Sequence, residues 1–139
     1  MSRSRDSPLK RKYERLWKIL ERIASAGRDS VIIVEGRRDE ESLRRLGIMG
    51  NIYKLKSSRI GFQEFPAIMG GYREAIILTD FDREGEELVV RVQRELAPLR
   101  IRIDCSLWNQ LRGLVSSDIK SIEDLADYLK KMEMEVRSS

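Results

Sequence analysis

The chain contains no histidine and only one cysteine, Cys105. Without histidine, Ser-His-Asp and Cys-His mechanisms are excluded, as is a histidine-ligated metal. With one cysteine there is no internal disulfide and no cysteine-built zinc site. Acid–base chemistry would fall to Asp, Glu, Lys or Tyr. A bound metal would have oxygen ligands, which favours Mg²⁺, Mn²⁺ or Ca²⁺. No apolar run approaches the ~20 residues of a membrane span. The first residues lack the apolar stretch of a signal peptide, and the expectation is a cytoplasmic protein with no membrane partner. The glycine motifs of Walker and Rossmann nucleotide sites are also missing.

What is present is charge. Asp, Glu, Lys and Arg make up 36% of the 139 residues, with a net charge of +4, on a chain long enough for one ordinary core. The charge is unevenly placed. Residues 1–28 hold nine basic and three acidic residues, whereas the remainder holds 18 basic and 20 acidic. A basic arm on a mildly acidic body (1–28 and 29–139) is the asymmetry expected of a protein that touches nucleic acid. Within the arm, Leu9, Tyr13, Leu16, Trp17, Leu20, Ile23 and Ala24 recur at helical spacing, predicting a helix over 9–26 stopped by Gly27. Arg11, Arg15, Lys18 and Arg22 fall on the opposite side. They form either a solvated face or a phosphate-binding stripe.

An alternation follows. Strands are expected at 31–35, 51–55, 75–79 and 101–105, and helices at 39–46, 61–69 (with Pro66 inside), 84–96 and 121–132. A capping box of Ser121 and Asp124 is expected to open the last helix. Such alternation implies an α/β fold, a parallel sheet covered on both faces. Residues 31–34 and 75–78 are continuous apolar runs, as in strands buried on both sides. Residues 51–55 and 101–105 carry polar residues within them, as edges do. With right-handed crossovers the simplest order is 2-1-3-4, a Rossmann-like arrangement with the first and third strands adjacent at the switch point. Ligands of open α/β sheets bind there, beyond the carboxyl ends of the strands.

Both central strands end in acid. The first ends in Glu35-Gly36, with Asp39 following in EGRRD. The third ends in LTDFDREGEE, which carries Asp80, Asp82 and Glu84. Like charges this close raise one another's pKa unless water or a cation intervenes. Gly36 suits a sharp turn or the close approach of a ligand, and Glu84 lies near a helix N-terminus, where the dipole favours an anion. Simple helix capping is the competing account of Asp39, Asp80 and Asp82. Capping needs one acid per helix, however, and does not explain two acids after the third strand facing a glutamate on its neighbour.

The segments VIIVEGRRDEESL and AIILTDFDREGEEL resemble the Toprim domain of type IA topoisomerases, bacterial-type primases, 5S rRNA maturation nucleases and some DNA repair nucleases. The resemblance spans about Val31 to Cys105. It rests on Glu35-Gly36 after the first strand and Asp80-x-Asp82 after the third. Asp39 is similar to the primase and maturation-nuclease branches, and Glu84 to the topoisomerase branch. The resemblance implies that Asp80 and Asp82, with Glu84, hold Mg²⁺, with Mn²⁺ as a second candidate. It further implies that Glu35 is a general acid/base or completes the metal site, supported by Asp39. A Mg²⁺-dependent nuclease or related phosphotransfer protein acting on nucleic acid is then expected, with structured RNA favoured over DNA. The alternative is a nucleic-acid-binding accessory protein of an RNA-processing or ribosomal ribonucleoprotein.

The departures limit the choice. The chain has no counterpart of the domains that carry a topoisomerase tyrosine, and none of the zinc and helicase-docking domains of primases. A phosphatase of the haloacid dehalogenase type also uses Asp-x-Asp after a strand, but after the first strand, and with Thr or Val where Glu84 stands. Arg37, Arg38, Lys56, Arg59 and Arg83 flank the crevice loops and are candidate phosphate clamps, or ordinary surface cations. Trp17 and Trp108 are candidates for base stacking or for the core.

Overall fold

The computed structural model describes residues 7–56 and 65–138. The two apolar runs become β1 (Ser30–Val34) and β3 (Glu74–Ile77), which lie side by side at the centre of a four-stranded, all-parallel sheet. β2 (Asn51–Lys54) flanks β1 and β4 (Arg102–Asp104) flanks β3, giving the order β2-β1-β3-β4. Ile32 aligns with Ile52 on one side and Ile76 on the other. Every residue of β1 is buried, whereas β2 and β4 keep exposed or half-buried positions. Polarity within a strand thus distinguished edge from centre.

Among the described residues, six α-helices surround the sheet: α1 (Pro8–Ala24), α2 (Arg37–Arg45), α3 (Phe65–Met69), α4 (Arg83–Leu96), α5 (Ser106–Val115) and α6 (Leu125–Ser138). Right-handed crossovers put α2 on one face and α3 and α4 on the other. α1 packs on α5 and α6, α2 packs on α6, and α3 packs on α4. Ser7 opens α1 by accepting the Lys10 N–H at 3.1 Å, with Pro8 in the first turn. Leu16, Ile19, Leu20 and Ile23 of α1 join the same core as both central strands, while Tyr13 and Trp17 are half-buried against it. α1 closes at Ser25, two residues before Gly27.

Two elements depart from the sequence reading. α5 was not anticipated, although Leu107, Trp108, Leu111 and Val115 bury one face of it. The expected helix at 121–132 starts as a 3₁₀ turn, Ile122–Asp124, and the α-helix runs on to Ser138. The capping box does not form. The Ser121 hydroxyl donates to the Asp124 carboxylate at 3.2 Å and caps no backbone N–H. Of the helix expected at 61–69, only Phe65–Met69 falls among the described residues.

Candidate functional site

β1 and β3 run parallel and end at the same edge, so the residues after them share one crevice. Glu35 follows β1 and is only 3% exposed. Its Oε2 accepts the Asp80 backbone N–H at 2.7 Å, tying the two acidic segments together. Its Oε1 receives the Lys56 ammonium at 3.2 Å, and the same ammonium reaches Glu84 Oε1 at 3.0 Å. These two carboxylates raise the Lys56 pKa above its ordinary value.

Asp39 is also buried. Its Oδ2 accepts the Gly36 N–H at 3.0 Å across the first turn of α2. Burial, with the nearby Glu35 charge, raises its pKa despite that hydrogen bond. Gly36 has φ −152° and ψ −176°, an extended conformation open to any residue, so no sharp turn requires glycine there. A Cβ added at Gly36 would meet nothing within 4 Å, and the residue lines the crevice.

The Asp-x-Asp segment divides its labour. Phe81, between the two acids, is buried beside Trp108, with ring centroids 6.0 Å apart. Asp82 caps α4, its Oδ1 accepting the Gly85 N–H at 2.8 Å. Asp80 does not cap α4; its Oδ1 accepts the Ile122 N–H, at the start of the 3₁₀ turn, at 3.4 Å. Its pKa is pushed up to about 7, first by burial and then by the charges of Glu35, Asp39 and Asp82. Charge of one sign has therefore been concentrated at Asp80 without full compensation.

The resulting crevice has a volume of about 620 Å³ and is lined by Glu35, Gly36, Arg37, Arg38, Asp39, Glu41, Lys56, Asp80, Ser121 and Glu123. Asp82, Arg83 and Glu84 are not part of that lining. Arg83 pairs with Glu87 along α4, and Arg37 with Glu41 along α2. Arg59 lies outside the described residues. Arg15, Lys18 and Arg22 sit elsewhere, in a groove between α1 and α5, and Arg11 is exposed on α1. Trp108 is core, its Nε1–H donating to the Thr79 carbonyl at 2.8 Å, and Trp17 packs edge-on against Tyr13.

Among the described residues, no three Asp, Glu or Cys side chains are arranged to hold a metal ion as they stand. Lys56 accounts for part of this, since its ammonium holds Glu35 and Glu84. The donor chemistry nevertheless fits Mg²⁺. The groups are all carboxylates, and the repulsion that raises the Asp80 pKa is what a cation would relieve.

Two residues and one segment that support the site have no assigned role in the sequence reading. A Cβ on Gly85 would lie 1.8 Å from the Asp80 carbonyl oxygen, so only glycine lets α4 start this close. The Thr79 hydroxyl, fully buried, donates to the Gly85 carbonyl at 2.8 Å. The chain around Lys120 to Ile122 backs the Asp80 loop, with the Phe81 N–H donating to the Lys120 carbonyl at 2.7 Å. The glycine was visible in REGEE. The contribution of residues 120–122 was not, because it comes from a segment some forty residues downstream.

Comparison with known proteins agrees with this architecture. Residues 30–106 match the family described as the Toprim domain. A UPF0292 protein of Pyrococcus abyssi is 43% identical over 115 residues, covering 81% of this chain and 86% of the relative. One from Thermococcus kodakarensis is 39% identical over 113 residues (81% and 82%), and one from Methanosarcina barkeri 34% over 127 residues (90% and 87%). Among solved structures, a protein from Aquifex aeolicus superposes with a TM-score of 0.64 at 25% identity, covering 78% of this chain and 96% of that one.

Proposed function

The chain belongs to the Toprim domain family, and on that premise we propose that it is a metal-dependent nuclease, or a related phosphotransfer protein, acting on nucleic acid. Structured RNA is the favoured substrate, and a ribonucleoprotein setting belongs to the alternative, accessory-protein reading. The observation that carries this reading is the 2.7 Å hydrogen bond from the Asp80 N–H to Glu35, which joins the two acidic motifs in one crevice.

In this reading Asp80 and Asp82, with Glu84, hold Mg²⁺ or Mn²⁺. The bound cation would supply neutralisation of charge developing on the phosphoryl oxygens and positioning of the attacking oxygen. The chain's own residues do the rest. The Glu35 hydrogen bond fixes the backbone of the Asp80 loop, and its second oxygen becomes available to move a proton once Lys56 withdraws. Asp39 keeps the Gly36 N–H turned inward and adds negative charge beside Asp80. Arg37 and Arg38, at the crevice wall, meet substrate phosphates. Lys56 is already at the acids and is placed to follow a phosphate when it leaves them.

The test is a panel of labelled RNA and DNA substrates with Mg²⁺ or Mn²⁺, run beside Asp80→Asn and Glu35→Gln. Cleavage by the wild type and its loss in both folded variants is the expected result. Binding without cleavage under every condition would instead favour the accessory-protein reading. The arrangement of Lys56 across Glu35 and Glu84 gives that second reading its support, because a metal must displace it.

A further inference from the structure

Beside the buried stripe of α1, along its seam with α5, lies a second concavity of about 580 Å³, with Ile19 of that stripe in its lining. Its α1 wall carries Arg15, Lys18 and Arg22, and its α5 wall carries the adjacent amides Asn109 and Gln110. No carboxylate lines it. These five side chains are exposed, and none makes a hydrogen bond or ion pair among the described residues. Several other cations of the molecule are engaged, Lys12 with Asp118, Arg44 and Lys54 with Glu40, Arg45 with Asp127 and Arg112 with Glu86, while others such as Arg94 and Lys130 also stand without an ion pair among the described residues. Glu14 stands four residues before Lys18, the favoured order for a helical ion pair, yet no such pair is formed.

We propose that this groove is a second nucleic-acid site, which takes a short single-stranded segment with its phosphates on α1 and its sugars and base edges on α5. The inference rests on the reading that the protein acts on nucleic acid. The spacing supports it. Positions 15, 18 and 22 advance along the helix by about 4.5 and then 6 Å, ~10 Å in all. Three cations spread over that length can each meet a phosphate of one strand. The facing amides each offer a donor and an acceptor but no charge. They suit hydroxyls and base edges, and would be wasted on a bare polyanion. A duplex presents mainly its backbone outside its grooves and leaves the α5 wall unused. Gly113 adds a second indication. It stands in the last turn of α5, and a Cβ there would meet nothing within 4 Å, so this wall borders open space that a larger side chain would fill.

The experiment measures the anisotropy of a fluorescein-labelled oligouridylate against full-length protein in EDTA across a salt series. Three proteins are compared: wild type, the triple variant Arg15→Gln/Lys18→Gln/Arg22→Gln, and Gly113→Leu. The triple variant is expected to lose about two units of the slope of log affinity against log salt, ~0.7 per phosphate contact on a single strand. Gly113→Leu, which fills the groove without changing charge, is expected to weaken binding at least tenfold with an unchanged circular dichroism spectrum. Wild-type binding by both groove variants would overturn the proposal. So would loss in the triple variant with none in Gly113→Leu, which would mean that charge acts without docking. A duplex bound as tightly, or displacement by poly-glutamate at equal charge, would also overturn it. If the wild type binds as described yet cleaves nothing in Mg²⁺ or Mn²⁺, the nuclease reading fails and the groove stands.

Discussion

Gly85 shows how one missing Cβ can hold a site together. By helix propensity alone, Gly85→Ala in the first turn of α4 would stabilise by up to ~1 kcal/mol. Here the added carbon would lie 1.8 Å from a backbone carbonyl, that of Asp80. Backbone cannot rotate aside as a side chain can, so overpacking wins, and a net loss of about 1–3 kcal/mol is expected. Thermal unfolding read by circular dichroism checks the sign, and a raised melting temperature would refute the argument. Lys56 supports a second prediction at this scale. Its ammonium already neutralises Glu35 and Glu84. Lys56→Met should therefore tighten Mn²⁺ binding by of order tenfold, the equivalent of about one pKa unit of charge interaction. Calorimetric titration with Mn²⁺ measures this directly. An unchanged or weaker affinity would show that the lysine does not compete with the metal.

At the scale of elements, the readable parts of the sequence were those governed by local pattern. Two apolar runs marked the buried strands, polar interruptions marked the edges, and the acids stood immediately after the central strands. α5 escapes the sequence reading because its apolar residues, Leu107, Trp108, Leu111 and Val115, follow β4 directly, and Asp104, whose Oδ1 accepts the Ser106 and Leu107 N–H groups at 2.9 and 3.4 Å, reads in sequence as part of the strand. The 3₁₀ turn at Ile122–Asp124 was read as the start of a helix because Ser121 and Asp124 have the spacing of a capping box. Tertiary contact with Asp80 and Phe81 fixes that segment instead. Asp82 serves as the α4 cap that competed with a metal role in the sequence, while Asp80 does not cap α4 and instead accepts the Ile122 N–H that opens the 3₁₀ turn. The newly found helix carries its own prediction. Trp108→Phe keeps most of the ring packing but leaves the buried Thr79 carbonyl without its 2.8 Å donor, which costs about 1–3 kcal/mol. A melting temperature lowered by a few degrees is expected. No change would mean that the indole N–H contributes only packing.

For the molecule as a whole, the concentration of acids makes stability depend on pH in an unusual direction. Asp80 is raised to about 7 by burial and by Glu35, Asp39 and Asp82, and Asp39 is raised too. In the unfolded chain both revert to an ordinary aspartate value near ~3.9. Between those limits the folded state binds more protons than the unfolded one, so unfolding free energy falls as pH rises. The opposing groups act lower down. Glu40, Asp118 and Asp127 are held below their ordinary values by Lys54, by Tyr128 and Lys12, and by Arg45 respectively, and their stabilisation is lost only in stronger acid. The metal-free protein should accordingly melt higher at pH 5 than at pH 8. Asp80→Asn, which removes the largest of these charges, should flatten that slope. A divalent cation replaces the proton as the compensating charge, so excess Mg²⁺ should raise the melting temperature more at pH 8 than at pH 5. Scanning calorimetry of both proteins in EDTA and in Mg²⁺ gives all of these comparisons. A wild-type melting temperature that rises from pH 5 to pH 8 in EDTA would mean that the acids at the ends of β1 and β3 are already compensated within the folded chain, and the case for a cation there would lose its physical basis.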